Sequence, residues 1–158
     1  MALVDIRQGD HGTSAKVSCV PGKIVRLSRM HDCKVTNVTS GNTLQMLHIP
    51  AGVALLDTAL TVHRLEGGTL TVDVGLATHS SDAAIDADGL LDGADLNSAA
   101  LIHGVTPGVL TYPYKNASDV AMDVGVLFNN TADNARFTLT VTCLDMTDSL
   151  VDGITNAG

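Results

Sequence analysis

The sequence predicts an all-β chain, an antiparallel β-sandwich or jelly roll in one domain, and three observations carry that expectation. Apolar and polar residues alternate with period two in several segments, no long segment has the spacing of an amphipathic helix, and clusters of Gly, Pro, Asn and Asp separate the alternating segments. The alternation is strongest at three places. In 69–76, Leu70, Val72, Val74 and Leu76 fall on one side; in 120–128, Val120, Met122, Val124, Val126 and Phe128 do. In 136–144, Phe137, Leu139, Val141 and Cys143 oppose Arg136, Thr138, Thr140 and Thr142. Strands of this kind bury one face and leave the other to solvent or a partner.

Weaker or shorter patterns predict further strands at 15–20, 23–28, 33–39, 43–49, 54–65 and 108–114, so about nine in all. Pro21-Gly22 reads as a turn. Ile49-Pro50-Ala51-Gly52 ends the strand at 43–49, because proline cannot donate to a ladder. Glu66-Gly67-Gly68 reads as a tight hairpin between 54–65 and 69–77, with glycine supplying positive φ. Asn129 to Asn134 links the last two strong strands, since Asn and Asp tolerate left-handed backbone. Residues 80–100 are acidic, small and broken by glycine, and are expected to be mainly a long loop, with room for a short helical turn. The expected organisation is an N-terminal arm at 1–14, a β domain at 15–146 and a C-terminal tail at 147–158. Both ends are rich in Gly, Asp, Ser and Thr, and read as arms that order only against something else.

Composition narrows the function. The 158 residues are long enough to bury about 70% of the unfolded surface. Only 16% are charged, against a usual share of about 25%, which suits a surface partly covered by neighbouring chains. With two Phe, two Tyr and no Trp, the core must be aliphatic. A net charge of −8 without a Lys/Arg stripe argues against nucleic acid as a partner. Six of the nine cations (Arg7, Lys16, Lys23, Arg26, Arg29 and Lys34) lie in the N-terminal third, where ordinary solvated charges are the simplest account. The start has no signal-peptide pattern and no apolar run approaches the roughly 20 residues of a membrane span, so cytosolic synthesis and no membrane partner are expected. Cys19, Cys33 and Cys143 are odd in number and far apart, which fits buried reduced thiols. Zinc on His31, Cys33 and Cys143 lacks a paired C-x-x-C and is not expected.

No catalytic constellation is legible. A nucleophile elbow, a P-loop and a dinucleotide fingerprint are all absent, and His11, His31, His48, His63, His79 and His103 are scattered one per segment. Asp73 and Asp123 sit mid-strand and could pair as acid and base, yet aspartates on a solvated strand face need no catalytic role. The acidic run is the strongest chemical candidate: Asp82, Asp86, Asp88, Asp92 and Asp95 offer hard oxygens that Ca²⁺ favours. Against an EF-hand loop, however, Leu90 stands at the fifth position and Asn97 at the twelfth, where a bidentate Glu belongs. A solvated acidic interface loop without metal or cofactor is the preferred reading.

The run from Ile49-Pro50-Ala51-Gly52 to Asp57, then Gly68-Thr69-Leu70-Thr71-Val72-Asp73-Val74-Gly75, then Asp86-Ala87-Asp88-Gly89-Leu90-Leu91-Asp92-Gly93, resembles small structural proteins of tailed bacteriophages. The final strand, Phe137 to Met146, fits the same texture. The resemblance covers roughly 43–100 and the last strand, and nothing in the first 40 residues carries it. It implies a head decoration, or cement, protein: a β-sandwich module, usually trimeric, outside a filled capsid and clamping neighbouring copies of the major capsid protein. On that reading Leu3, Val4, Ile6 and Arg7 in the arm would contact the shell and the acidic stretch 82–95 would form a second interface. The alternative is a tail or fibre β-sandwich module that binds a host receptor or sugar, with calcium held at 82–95. Scarce aromatics count against it, because rings are the usual stacking surface for sugars.

Overall fold

A computed structural model describes residues 3–5, 24–103, 114–115 and 121–145. These form ten strands: β1 (Leu3–Asp5), β2 (Ile24–Asp32), β3 (Thr43–Ile49), β4 (Val53–Arg64), β5 (Thr71–Thr78), β6 (Ala84–Asp95), β7 (Leu101–His103), β8 (Tyr114–Lys115), β9 (Met122–Phe128) and β10 (Arg136–Asp145). One sheet, here sheet A, runs β1-β3-β9-β5-β6; the other, sheet B, runs β2-β10-β4-β7, with β8 also on β4.

The order has a simple logic. β5 pairs with β6, β4 with β7, β3 with β9 and β2 with β10, so the chain is a nested antiparallel ribbon doubled about the β5–β6 turn. Rolling that ribbon adds the pairs β5–β9 and β4–β10 and closes two four-stranded sheets face to face. This is a jelly roll, the expected fold class.

The alternating segments become the core. Leu70, Val72, Val74 and Leu76 face Met122, Val124, Val126 and Phe128 within sheet A, and Phe137, Leu139, Val141 and Cys143 face them from sheet B, all buried. The ring centroids of Phe128 and Phe137 are 6.0 Å apart, which joins the two sheets at one end. Cys33 and Cys143 are buried thiols. Burial, then the charges of Glu66 and Asp32, push the Cys33 thiol up to about 12, so it stays protonated and inert.

Several expectations need correction. Residues 80–100 are largely strand: β6 spans twelve of them. They read as a loop because β6 is heavily bulged. Val74 pairs with Leu91 while Leu76 pairs with Asp86, so five steps along β6 match two along β5 and the period-two pattern is lost. Glu66-Gly67-Gly68 is no hairpin, because β4 and β5 lie in different sheets. Gly67 does take positive φ (92°), but in a crossing between sheets. The strand expected at 33–39 is a turn that keeps one bridge, Val38 to Ala132. Leu3–Asp5, expected within a free arm, pairs in parallel with Thr43–Gln45 as an edge of sheet A. Ile6, Arg7, the rest of the arm, the strand at 15–20, most of 108–114 and the tail 147–158 lie outside the described residues.

One carboxylate ties the crossings together. Glu66, between β4 and β5, accepts the backbone N–H groups of Asp133 (2.9 Å), Asn134 (3.0 Å) and Ala135 (2.6 Å) from the β9–β10 crossing. Burial raises its pKa, but these three donors outweigh burial and hold it below the ordinary glutamate range.

Candidate functional site: the outer faces of the sandwich

Among the described residues the core is filled mainly by apolar side chains, which directs attention to the outer faces and edges. The two faces are built differently.

On sheet B, Met30, Thr138, Thr61 and Leu101 form one rung across β2, β10, β4 and β7, and Ser28, Thr140 and Ala59 form part of another. Met30 and Leu101 are each 58% exposed. Ser28 and Thr140 share a hydroxyl bond of 2.9 Å, and His63 Nε2 lies 2.8 Å from Thr138 Oγ1. The middle of the face is hydroxylic with isolated apolar tips, and charged rungs flank it: Arg26, Thr142 and Asp57 on one side, and Asp32, Arg136 and Arg64 on the other, where Arg64 pairs with Asp32.

On sheet A, the central rung is Gln45, Gly125 and Gly75 on β3, β9 and β5. A Cβ on Gly75 would sit 2.1 Å from the Asp86 carbonyl oxygen, so the glycine lets the β6 bulge fold over the sheet. A Cβ on Gly125 would come within 2.8 Å of both Gln45 Oε1 and Thr43 Cγ2. Gln45 is 1% exposed, and Oε1 has no hydrogen-bond partner. Around this rung Thr43, Ala77, Ala87 and Leu127 line a shallow, mainly apolar groove.

Beside the groove, three strand ends bring together residues that the sequence scattered. His48 lies near the end of β3, His79 just beyond β5, and Asp123 near the start of β9. His48 pairs across the ladder with Asp123, and His79 extends the β5 pairing through its N–H to the Ala121 carbonyl (3.1 Å). Asp123 Oδ1 is 3.1 Å from His48 Nδ1, and Oδ2 is 2.9 Å from His79 Nδ1. A carboxylate in its ionised form only accepts, and each ring then donates from Nδ1. The rings lie 4.2 Å apart between centroids and cover the carboxylate, leaving Asp123 fully buried although it points away from the core. Among the described residues, this is the group of His, Cys, Asp and Glu that could hold a metal ion.

The acidic residues do not converge in the same way. Asp86 and Asp88 are adjacent on β6: burial, then the Asp88 hydrogen bond and charge, raise the Asp86 pKa. Asp95 instead binds the Asn97 N–H (2.8 Å) and the Ser98 hydroxyl (2.9 Å), closing the turn after β6, and these bonds lower its pKa. Asp82 stands in the β5–β6 turn with φ 53°, and Asp92 is exposed. Nor do Asp73 and Asp123 pair as acid and base. Asp73 lies opposite Leu127, four residues from Ala77, the partner of Asp123, which is about 13 Å along β5. Asp73 instead accepts the Gly93 N–H (2.7 Å) and steadies the β6 bulge. The expected binding residues Leu3 and Val4 lie on β1, at the opposite edge of sheet A from β6.

The fold has relatives. A chain in the capsid of Ralstonia phage GP4 superposes with a TM-score of 0.66 at 16% identity, covering 93% of this chain and all of that one. A chain in the acidic stable capsid of Helicobacter pylori bacteriophage KHP30 gives a TM-score of 0.55 at 15% identity, covering 81% of this chain and 92% of that one. No protein-family model and no curated protein sequence matches. At such identities the likeness is one of fold, and it takes in 81–93% of this chain and 92–100% of the other two.

Proposed function

We propose that the chain is a structural virion protein of a tailed bacteriophage: a decoration protein that binds the outside of the head and reinforces the filled shell. The observation that carries this is the jelly-roll likeness, over 81–93% of this chain, to capsid chains of two phages, set beside the phage-like texture of 43–100. Three features support it. Among the described residues the core is packed with aliphatic side chains, the middle of the outer face of sheet B is hydroxylic between two charged rungs, and net charge −8 disfavours contact with packaged DNA.

In this reading the contacts come from the two edges of sheet A. Leu3 and Val4 lie on the β1 edge, with Ile6 and Arg7 following in sequence, and an edge strand such as β1 suits pairing with a neighbouring chain. At the other edge, β6 carries Asp86, Asp88, Asp92 and Asp95, charges that discourage unwanted edge pairing and leave room for a basic counterpart on the major capsid protein. Assembly as a homotrimer fits three-fold lattice positions.

Particles purified to homogeneity test the proposal. The chain should be present in fixed ratio to the shell protein and leave on mild denaturation while the shell stays closed. The released protein should scatter light as three copies of 16.3 kDa. Its absence from purified particles would overturn the assignment, and a clean monomer would overturn the trimer.

A further inference from the structure

The histidine–aspartate cluster at the end of sheet A has no part in the capsid reading. We propose that His48, Asp123 and His79 form a surface metal site for a borderline transition ion of the Zn²⁺ class, a staple across the ends of β3, β9 and β5. The donor set is two imidazoles and one carboxylate, ligands that suit zinc, nickel and copper rather than calcium. Their ligand atoms lie within 4.8 Å of one another. Each His48 or His79 Nδ1 sits 2.9–3.1 Å from an Asp123 oxygen, close to the about 3.4 Å that separates two ligands in a tetrahedral site with bonds near 2.1 Å. A small ligand movement therefore admits an ion.

Burial supplies the second argument. A carboxylate on the outward side of a sheet would ordinarily stay hydrated, yet Asp123 is fully buried beneath two rings whose side chains are 42% and 47% exposed. A desolvated carboxylate needs positive or donor partners on every open side. Two Nδ1–H groups provide them here, and a divalent ion between the same atoms provides more. On binding, the ion takes the place of the two Nδ1 hydrogens. Each neutral ring then carries its hydrogen on Nε2, and water fills the open position. Three ligands at the ends of three adjacent strands, His79 tied to β9's lead-in by its N–H to the Ala121 carbonyl, are also held in place by the sheet, so little order has to be created on binding.

The test uses the full chain, stripped of metal with chelator. Added Zn²⁺ in hundredfold excess over its Kd should raise the melting temperature on the order of 5 °C, while Ca²⁺ should not. His48→Gln and His79→Gln keep an N–H donor for Asp123 but lose the imidazole. Each should weaken Zn²⁺ binding at least about tenfold, a loss of the size expected for removing a ligand or its close support. His63→Gln, on the far sheet, should bind like wild type. If the Gln variants do not fold, NMR on the wild type decides: Zn²⁺ should move the ring signals of His48 and His79 before those of the other four histidines. No Zn²⁺ effect on the wild type, equal binding by both Gln variants, or first perturbation of other histidines would overturn the site.

Discussion

The two outer faces belong to one sandwich but carry different kinds of structure. Across the middle of sheet B the outward residues are Thr, Ser, Ala and single apolar tips, flanked by the charged rungs Arg26, Thr142 and Asp57 on one side and Asp32, Arg136 and Arg64 on the other. Across sheet A the outward layer is fitted: a glycine yields to the β6 backbone, a glutamine is buried on a second glycine, and an aspartate is enclosed by two histidines. The difference teaches where this chain has committed its polar groups. The middle of sheet B offers a hydroxylic surface, whereas sheet A holds Gln45 and Asp123, groups that have already given up water, and Asp123 must keep its two histidine partners.

Substitutions can break that contrast. The largest effect is expected at Gly75→Ala, where a single methyl would meet the Asp86 and Ala87 backbone at 2.1–2.4 Å. Backbone cannot swing aside as a side chain does, so a loss of about 3 kcal/mol or more is expected in denaturant unfolding. Asp123→Ala should follow, at about 2–3 kcal/mol, because two charge-assisted hydrogen bonds disappear together. Glu66→Ala belongs to neither face and isolates the crossings between sheets. Losing three backbone donors' acceptor should cost about 2 kcal/mol near neutral pH. Because the folded pKa of Glu66 lies below the ordinary value, its contribution is complete above the ordinary glutamate range. It disappears as pH falls through the lowered value, so wild type and Glu66→Ala should converge in acid. The smallest effect is expected at Thr142→Val on sheet B, within about 0.5 kcal/mol of wild type. A large loss there would show that sheet B is as fitted as sheet A.

What the sequence made legible follows from the same physics. β5, β9 and β10 have one face in the core, so their alternation announces them, and β3 was bounded by Pro50 as expected. β6 was hidden because its bulge spends five residues where β5 spends two, and small acidic residues then mimic a loop. Periodicity reports which face of a strand is buried, not which sheet the strand joins, so the crossing at Gly67 passed for a hairpin. The histidine–aspartate cluster was illegible for a related reason. Asp123 lies 75 residues from His48 and 44 from His79, and only the order β3-β9-β5 brings them together. A buried charge on an otherwise apolar strand, Met122-Asp123-Val124, was the one local sign.

The central claim is that this jelly roll attaches to a capsid exterior, and binding of the purified full-length chain to filled heads stripped of it tests that most directly. Sedimentation of heads with increasing protein should give saturable binding at a fixed number of copies per shell subunit, and the bound heads should resist heat better than bare ones. Free protein left wholly in the supernatant at every concentration, with heads no more stable than before, would contradict the account.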